Sequence, residues 1–322
     1  MKAYVYGANG AEITEVAKPS AKGAQVLVRV RACGLNRADL GMTKGHAHGS
    51  AGGAGTVLGM EWAGEIAEVG PDARGVKIGD RVMGSGGAAF AEYTLADHGR
   101  LFRTPSNMNF EEATTLPIAL TTMHNAVVTV GAMQAGQAVL IQGASSGVGL
   151  MALQIAKLKG AGLVIGSSTD ATRRERLKEF GADLAVDSSD PGWVDQVLRA
   201  TSGEGVDLIV DQISGKVASQ NLKATKVKGR IVNVGRLGGT HADFNFDLHA
   251  ARRINYIGVT FRTRSIEEIR EIFDEVRKDI WPAVESRKLQ LPIDKVFAFD
   301  DIGKAFAHME ANKHLGKIVV TL

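Results

Sequence analysis

The sequence has a single cysteine, Cys33, among its 322 residues. One cysteine excludes an intrachain disulfide and a structural zinc site built from four cysteines, and it is typical of a reducing compartment. The chain also lacks a marked excess of one charge, since 38 basic and 35 acidic side chains leave a net charge of +3. It lacks a run of about 18 uncharged apolar residues and an apolar leader. We therefore expect a cytoplasmic protein that binds neither nucleic acid nor a membrane.

Glycine, in contrast, is abundant, with 39 residues where about 7% is usual. Hydrophobic residues at 44% and charged residues at 23% are close to the averages of globular proteins, so we expect a folded chain. The many glycines predict tight turns and close approaches of the backbone to a ligand.

Residues 1–118 have the pattern of short strands separated by glycine-rich or proline-containing turns. In 26–31, three valines alternate with other residues, which is typical of a strand with one buried face. Similar segments recur at 61–69, 80–83 and 90–95. Their spacing predicts an antiparallel barrel.

From about residue 114 the pattern changes to a helix over 114–130 and then to strands that alternate with helices. The strand candidates are 138–142, 163–167, 184–187, 206–211, 230–234 and 255–259. This alternation predicts a doubly wound α/β domain, in which helices cover both faces of a parallel sheet. The last elements, from a helix that begins after Ser265 to a strand at 317–322, are expected to return to the barrel. The predicted domains are therefore 1–118, 119–260 and a return segment at 261–322.

The strongest chemical signal lies between the strand at 138–142 and the helix that follows it. Small residues connect the two elements, and Ala144 and Ser146 stand at the first two glycine positions of a G-x-G-x-x-G pattern, with Gly149 at the third. Small side chains let the backbone approach a pyrophosphate at the positive end of the helix dipole. The expected contacts are made by Ala144, Ser145, Ser146, Gly147 and Val148. The alternative is an ordinary turn before a helix.

The end of the next strand favours NADPH over NADH. A carboxylate at this place would bind the ribose 2′-hydroxyl of NAD, but this chain has Ser167 and Ser168 there. Arg173 and Arg174 follow closely and can bind the additional phosphate of NADPH. The alternative is that Arg173 and its basic neighbours form the solvated face of a helix.

Four motifs together resemble the medium-chain dehydrogenase/reductase superfamily over the whole sequence. They are Cys33-Gly-Leu-Asn-Arg-Ala-Asp-Leu40, Gly59-Met-Glu-Trp-Ala-Gly64, Gly79-Asp-Arg-Val82 and the Ala-Ser-Ser-Gly-Val-Gly loop. Within the superfamily, the chain is similar to the zinc-independent quinone oxidoreductase branch related to zeta-crystallin. This resemblance implies a doubly wound Rossmann domain, a GroES-like, partly open β-barrel catalytic domain and a homodimer paired near 255–259.

The resemblance also implies that the catalytic metal is missing. Zinc alcohol dehydrogenases of this superfamily have a cysteine ligand where this chain has Asn36 and a histidine ligand where it has Met60. An amide and a thioether are poor zinc ligands. An alternative metal site would combine Cys33, His46, His48 and Glu61. Without a Lewis acid a simple ketone is hard to reduce, whereas quinones and α,β-unsaturated carbonyls accept hydride at carbon.

By similarity to the family, Asn36, Thr121 and His46 are the expected catalytic residues, with Asn36 and Thr121 beside the nicotinamide. The alternatives are a loop-capping asparagine, an ordinary helix threonine and a solvated histidine. Lys317 is expected near the pyrophosphate, and Val234 and Gly235 beside the nicotinamide. Cys33 is expected to be a small buried side chain.

The expected function is NADPH-dependent reduction of quinones or enones without a metal. Two alternatives stay open at this point: a zinc-dependent alcohol dehydrogenase with atypical ligands, and a protein that binds NADPH without catalysis.

Overall fold

A computed structural model describes residues 1–47, 49 and 53–322. The chain divides into two compact units, one formed by Met1–Ile118 with Phe261–Leu322 and the other by Ala119–Thr260. In the described part of the chain, no helix combines the length and the apolar character needed to cross a membrane.

The first segment of the chain is built mainly from short strands. They are β1 (Lys2–Gly7), β2 (Gly10–Glu15), β3 (Gln25–Gly34), β4 (Thr56–Val57), β5 (Glu61–Val69), β6 (Arg81–Ser85), β7 (Tyr93–Asp97) and β8 (Leu101–Arg103), with the short helices α1 (Arg37–Met42) and α2 (Phe110–Ala113). The predicted strand at 90–95 begins three residues later, because Phe90 and Ala91 precede β7 as buried core residues. The β1–β2 hairpin was not predicted.

Strands and helices alternate in the second unit. After α3 (Pro117–His124) come β9 (Ala138–Gln142), α4 (Gly147–Leu158), β10 (Leu163–Ser167), α5 (Ala171–Glu175), β11 (Leu184–Val186), α6 (Trp193–Ala200), β12 (Val206–Asp211), α7 (Ala218–Ala224), β13 (Thr225–Asn233), α8 (Phe246–Arg252) and β14 (Asn255–Gly258). The predicted helix over 114–130 is shorter, since α3 passes into a π-helical segment at Asn125–Thr129.

The six strands of the second unit form one parallel sheet in the order β11-β10-β9-β12-β13-β14. This is the order of the doubly wound dinucleotide-binding fold. The central strands β9 and β12 are apolar and buried because helices cover both faces of a parallel sheet. All parallel strands end at one edge, where ligands bind in this fold.

The last segment of the chain returns to the first unit. It contains α9 (Ile266–Asp279), α10 (Trp281–Glu285), β15 (Ile293–Ala298), α11 (Ile302–Glu310) and β16 (Lys317–Thr321). β16 pairs with β3 in the seven-stranded sheet, whose path runs β15-β16-β3-β5-β6-β8, with β7 also paired to β3. Ile318, Val320 and Phe306 join Val28 and Trp62 in one apolar core, so the return segment is part of the barrel.

Candidate functional site

The loop between β9 and α4 has the geometry of a phosphate cradle. Gly143 leaves the strand with φ +72°, a conformation that L side chains rarely adopt. The backbone then turns into α4, whose N-cap is Ser146 and whose Gly149 N–H donates to Ser146 Oγ at 3.1 Å. The first turn of a helix presents N–H groups that have no acceptor within the helix, and these can bind an anion.

Gly149 allows this loop to pack tightly. A Cβ at Gly149 would lie 2.6 Å from the Gly143 carbonyl oxygen and 2.7 Å from Ala144 Cα. Real side chains do not approach so closely, so any larger residue would push α4 away from the strand end. Ala144 itself is completely buried. The third position of the glycine pattern therefore serves helix–strand packing.

A series of buried side-chain hydrogen bonds holds the loop between β9 and α4 in place. Ser167 Oγ accepts from Gly143 N at 3.0 Å and donates to Gln142 Oε1 at 2.6 Å. Gln142 Nε2 donates to Asn221 Oδ1 at 2.8 Å, and Asn221 Nδ2 donates to Asp211 Oδ2 at 3.0 Å. These side chains are fully buried. The predicted cofactor contact of Ser167 stays a prediction, and the structure gives its hydroxyl two partners inside the protein.

Gln212 links this loop to the end of β13. Ser146 Oγ lies 2.9 Å from Gln212 Oε1. Val234 N and Gly235 N donate to the carbonyl oxygen of Asp211, the residue before Gln212. A Cβ at Gly235 would lie 2.6 Å from the Gln212 carbonyl oxygen, so this approach requires glycine. The structure thus brings Val234 and Gly235 to the same sheet edge as the loop 144–148.

The end of β10 carries the residues expected to select the cofactor. Ser168 Oγ donates to Ser145 Oγ at 3.1 Å, which connects this strand end to the loop. Arg173 is the third residue of α5, and its backbone N–H donates to Oδ1 of the N-cap residue Asp170 at 2.8 Å. That bond, with the nearby guanidinium, lowers the pKa of Asp170.

Arg174 is bonded to the residues that follow two strands. Its Nη1 donates to the Ser168 carbonyl oxygen at 2.9 Å and to Asp187 Oδ2 at 3.1 Å. The structure therefore places Arg174, which the sequence had offered with Arg173 as a candidate for the additional phosphate, beside Ser168.

Asn36 lies in a buried charge cluster of the first unit. Lys317 Nζ donates to Glu61 Oε2 at 2.5 Å and to Asn36 Oδ1 at 2.9 Å. Asn36 Nδ2 donates to Glu61 Oε2 at 3.0 Å and to the Gly34 carbonyl oxygen at 3.2 Å. The side chains of Lys317 and Glu61 are 6% and 0% exposed, whereas Asn36 is half-buried.

Strand register explains why these residues meet. Val319 of β16 is paired with Gly34 of the antiparallel strand β3. Lys317 lies two residues before Val319 and Asn36 two residues after Gly34, so the two side chains come close together. Cys33 of β3 is paired with Trp62 of β5, which places Glu61 beside Gly34. A Cβ at Gly34 would lie 3.3 Å from Lys317 Cε and 2.6 Å from the Thr114 carbonyl oxygen. Glycine at this position therefore leaves room for the cluster.

Asp39 adds a second carboxyl group to the cluster. Its Oδ2 accepts from Asn36 N at 2.8 Å, and its Oδ1 has no hydrogen-bond partner among the described residues. Burial raises the pKa of Asp39 to about 7, and Glu61 contributes in the same direction, while Lys317 opposes the shift. Burial and the nearby Asp39 also raise the pKa of the Cys33 thiol. Cys33 is fully buried with its Sγ 3.0 Å from the Ala89 carbonyl oxygen, as expected for a packing residue.

The described donor set does not fit a catalytic zinc ion. Asn36 offers an amide, Met60 a thioether, and the Glu61 carboxylate is bonded to the Lys317 ammonium. Zinc requires about three cysteine, histidine or carboxylate ligands at one point, and the described residues form no such group of three. Of the alternative site, His46 is exposed and His48 lies outside the described residues.

The other expected catalytic residues have different surroundings. Thr121 is 1% exposed on α3, and its neighbour His124 is likewise buried. His46 follows α1, where its backbone N–H donates to the Gly41 carbonyl oxygen at 3.1 Å. Asn36 and Lys317 are brought together, whereas the roles of Thr121 and His46 stay predictions.

Two family models match the chain in adjacent parts. An alcohol dehydrogenase GroES-like domain matches residues 22–106, and a zinc-binding dehydrogenase domain matches residues 147–278. These matches agree with the sheet orders described above, and the predicted fold class is confirmed.

Relatives extend the likeness to nearly the whole chain. Quinone oxidoreductase-like protein 2 of Bos taurus is 27% identical over 96% of this chain and 88% of its own length. One subunit of the phenolphthiocerol/phthiocerol polyketide synthase of Mycobacterium tuberculosis is 30% identical over 96% of this chain, which spans only 14% of that protein. The crystal structure of CurK enoyl reductase has a TM-score of 0.87 and 25% identity, with 99% of each chain covered. The chain belongs to the medium-chain dehydrogenase/reductase superfamily, in its quinone oxidoreductase-like branch. The second unit accordingly has a dinucleotide-binding fold.

Sequence reasoning missed the residues that hold the expected site residues in place. Asp39, Gln142, Gln212 and Asn221 were not assigned to either site, and Glu61 was considered only as a metal ligand. Polar side chains within otherwise apolar strand ends, such as that of Gln142, are the signal that could have identified the buried network.

Proposed function

We propose that the protein reduces quinones or α,β-unsaturated carbonyl compounds with NADPH and without a metal ion. The observation that carries this proposal is the Asn36–Glu61–Lys317 cluster, in which Asn36 stands at the position that the resemblance gives to a cysteine ligand of the zinc enzymes. An ammonium bonded to the Glu61 carboxylate supplies no Lewis acid to a substrate oxygen. This favours an acceptor that is activated by its own conjugation.

The bound nicotinamide would supply a hydride. The residues of this chain would supply position and electrostatic stabilisation: the 144–148 backbone and the start of α4 for the pyrophosphate, and Asn36 for orientation near the reacting groups. A conjugated acceptor takes hydride at carbon and moves the negative charge to oxygen, so modest hydrogen bonding is enough. The names of two relatives, a quinone oxidoreductase-like protein and an enoyl reductase, support this class of acceptor.

Oxidation of NADPH across quinones, enals, enones, enoyl thioesters and simple ketones tests the proposal. We expect turnover of the conjugated acceptors and none of the saturated ketones, unchanged by a chelator. Activity that a chelator abolishes would favour a zinc-dependent alcohol dehydrogenase, and NADPH binding without turnover of any acceptor would favour a non-enzymatic binding protein.

The choice of NADPH rests on Ser167, Ser168 and Arg173 in place of a carboxylate after β10. We expect Arg173→Ala to raise the Kd for NADPH by about tenfold or more and to change the Kd for NADH little, since a charge-assisted hydrogen bond to the 2′-phosphate contributes about 1.5–3 kcal/mol. Fluorescence titration measures both constants. Arg176→Ala is the matched control, because that arginine is bonded to the exposed Glu179. Equal weakening of both cofactors would contradict the assignment.

We also propose a cytoplasmic homodimer paired through β14. This strand forms one end of the six-stranded sheet and is largely exposed. Tyr256 of this strand forms an aromatic group with Phe244 and Phe246, and Phe246 is 75% exposed. An exposed edge of this kind is a template for pairing with a second chain. We expect light scattering to give twice the chain mass, and Tyr256→Lys with Phe246→Lys to shift the protein to monomer; an unchanged mass would contradict pairing at this edge.

A further inference from the structure

The hydrogen bonds of Asn36 define which of its side-chain atoms face which partner. An ammonium only donates, whereas an ionised carboxylate and a backbone carbonyl only accept. Lys317 therefore faces Asn36 Oδ1, and Glu61 and the Gly34 carbonyl oxygen face Asn36 Nδ2. A rotation of the amide by 180° would place Nδ2 against the Lys317 ammonium and Oδ1 against the Glu61 carboxylate. The hydrogen bonds therefore fix the orientation of the amide.

Both hydrogens of the Asn36 amide are used within the protein. One is donated to Glu61 Oε2 and the other to the Gly34 carbonyl oxygen. The Asn36 oxygen accepts from Lys317 and has a second lone pair. Since Asn36 is half-buried, the hydrogen-bonding capacity that it has left for a ligand is that of an acceptor.

The ion pair of Lys317 and Glu61, which imposes this orientation, is itself fixed by several hydrogen bonds. Glu61 Oε2 accepts hydrogen bonds from the Lys317 ammonium and the Asn36 amide, and Glu61 Oε1 accepts one from Ile118 N at 2.7 Å. A buried ion pair contributes little net stability, because removing two charges from water costs about as much as their attraction returns. Its effect here is geometric: it permits one arrangement of the Asn36 amide.

We propose that Lys317 and Glu61 are positioning residues that hold Asn36 as an obligate hydrogen-bond acceptor for a hydroxyl group of the bound cofactor or product. Asn36 then cannot donate a hydrogen bond to the oxygen of a carbonyl substrate. This inference rests on the proposed function, and it gives Lys317 a role other than the expected contact with the pyrophosphate.

The first variant removes the acceptor. Asn36→Leu has no polar side-chain atom, and we expect it to lower kcat/KM for NADPH by about tenfold or more, the loss expected for one hydrogen bond to a bound ligand. Circular dichroism and Tm show whether the variant folds as the parent does. A folded Asn36→Leu protein with the kcat/KM of the parent would overturn the proposal.

A second variant separates positioning from charge. Lys317→Met combined with Glu61→Gln removes both charges together, so neither remains buried alone, and it frees the Asn36 amide to rotate. We expect a folded protein, by circular dichroism and Tm, with kcat/KM lowered about tenfold or more because one hydrogen bond is no longer preformed. Lys317→Arg with Glu61 retained should restore most of the activity. Full activity in the neutral pair would contradict the positioning role.

One measurement does not depend on catalysis. With side-chain ¹⁵N-labelled asparagine, the Asn36 amide protons should exchange with solvent at least about tenfold more slowly in the parent than in the neutral pair, since both are donated to acceptors in the protein. Asn36→Asp identifies the resonance. If the parent does not oxidise NADPH with any acceptor, the proposed function fails, while slow exchange still supports the fixed orientation; fast exchange in the parent refutes the orientation whatever the activity.

Discussion

Asp39 is the residue whose ionisation the barrel alters most clearly. Burial raises its pKa to about 7, against about 3.9 in an unfolded chain. The charged and titratable groups around it are Glu61, Lys317 and Cys33. Two buried carboxyl groups share one ammonium, so a proton on Asp39 makes the cluster neutral.

The sign of the pH dependence follows from this raised pKa. Between about pH 4 and pH 7 the folded state holds a proton on Asp39 that the unfolded state has released, so stability is highest below this range and is lost as pH rises through it. We expect the free energy of unfolding to fall by at most about 1.4 kcal/mol per pH unit within the window. Urea unfolding from pH 4.5 to 8 measures it.

Asp39→Asn provides the comparison, because the amide copies the shape of the protonated carboxyl without titrating. The difference in stability between this variant and the parent should grow in favour of the variant as pH rises. Parallel pH profiles for the two proteins would show that Asp39 does not carry the dependence.

Asn36 and Lys317 illustrate how far the sequence could lead at the scale of residues. Each was identified as a site residue by resemblance, but their bond to each other was not. The two residues are separated by 281 positions and meet only through the register of β3 with β16. A register of this kind depends on packing across the whole sheet and leaves no local pattern in the sequence.

At the scale of elements, Gly149 in the first turn of α4 and Gly303 in α11 differ in how closely their neighbours pack. A Cβ at Gly149 would lie 2.6 Å from a backbone oxygen, whereas a Cβ at Gly303 of α11 would have nothing within 4 Å. We expect Gly149→Ala to destabilise the protein by about 1–3 kcal/mol, because the backbone must shift, and to weaken dinucleotide binding. Gly303→Ala should stabilise it by about 0.5–1 kcal/mol, since alanine is the better helix former.

Thermal unfolding and NADPH titration of the two alanine variants measure these effects. Opposite shifts in Tm are expected, with NADPH affinity altered only at Gly149. A Gly149→Ala protein that binds NADPH as the parent does would show that tight packing at this position is not needed for the cradle.

The elements that the sequence predicted best are the buried parallel strands. The predicted bounds of β9, β10 and β12 agree with the structure, because apolar runs between glycine-containing turns are distinctive. The hairpin of β1 and β2 was missed for a physical reason: Ala3, Tyr4 and Val5 are buried in succession, so β1 has no alternation of buried and exposed side chains. The predicted start of β7 was three residues too early, because the Phe90 backbone forms hydrogen bonds with Leu58 and Tyr4 outside the pairing of β7 with β3.

At the scale of the whole molecule, the two units differ in how the chain builds them. Ala119–Thr260 is one continuous stretch with its own apolar core around Leu140, Ile209 and Trp193. The barrel needs both Met1–Ile118 and Phe261–Leu322, and Ile318 and Phe306 from the second stretch lie in its core.

We therefore expect a fragment of residues 119–260 to fold by itself and a fragment of residues 1–260 to contain an unfolded barrel. Loss of β15, β16 and α11 exposes the apolar side chains that they cover. Circular dichroism and dispersed amide resonances measure folding of each fragment. A cooperative barrel transition in the 1–260 fragment would contradict this prediction.

The position of Lys317 has a consequence for biosynthesis. A ribosome releases residues 119–260 while the last strand has not yet been made, so the nucleotide-binding unit can fold early and persist beside a barrel that still has an open seam. Until Lys317 has been made, the Glu61 carboxylate lacks the ammonium that it binds in the folded barrel. The Asn36–Glu61–Lys317 cluster can therefore form only once β16 has been made and has paired with β3.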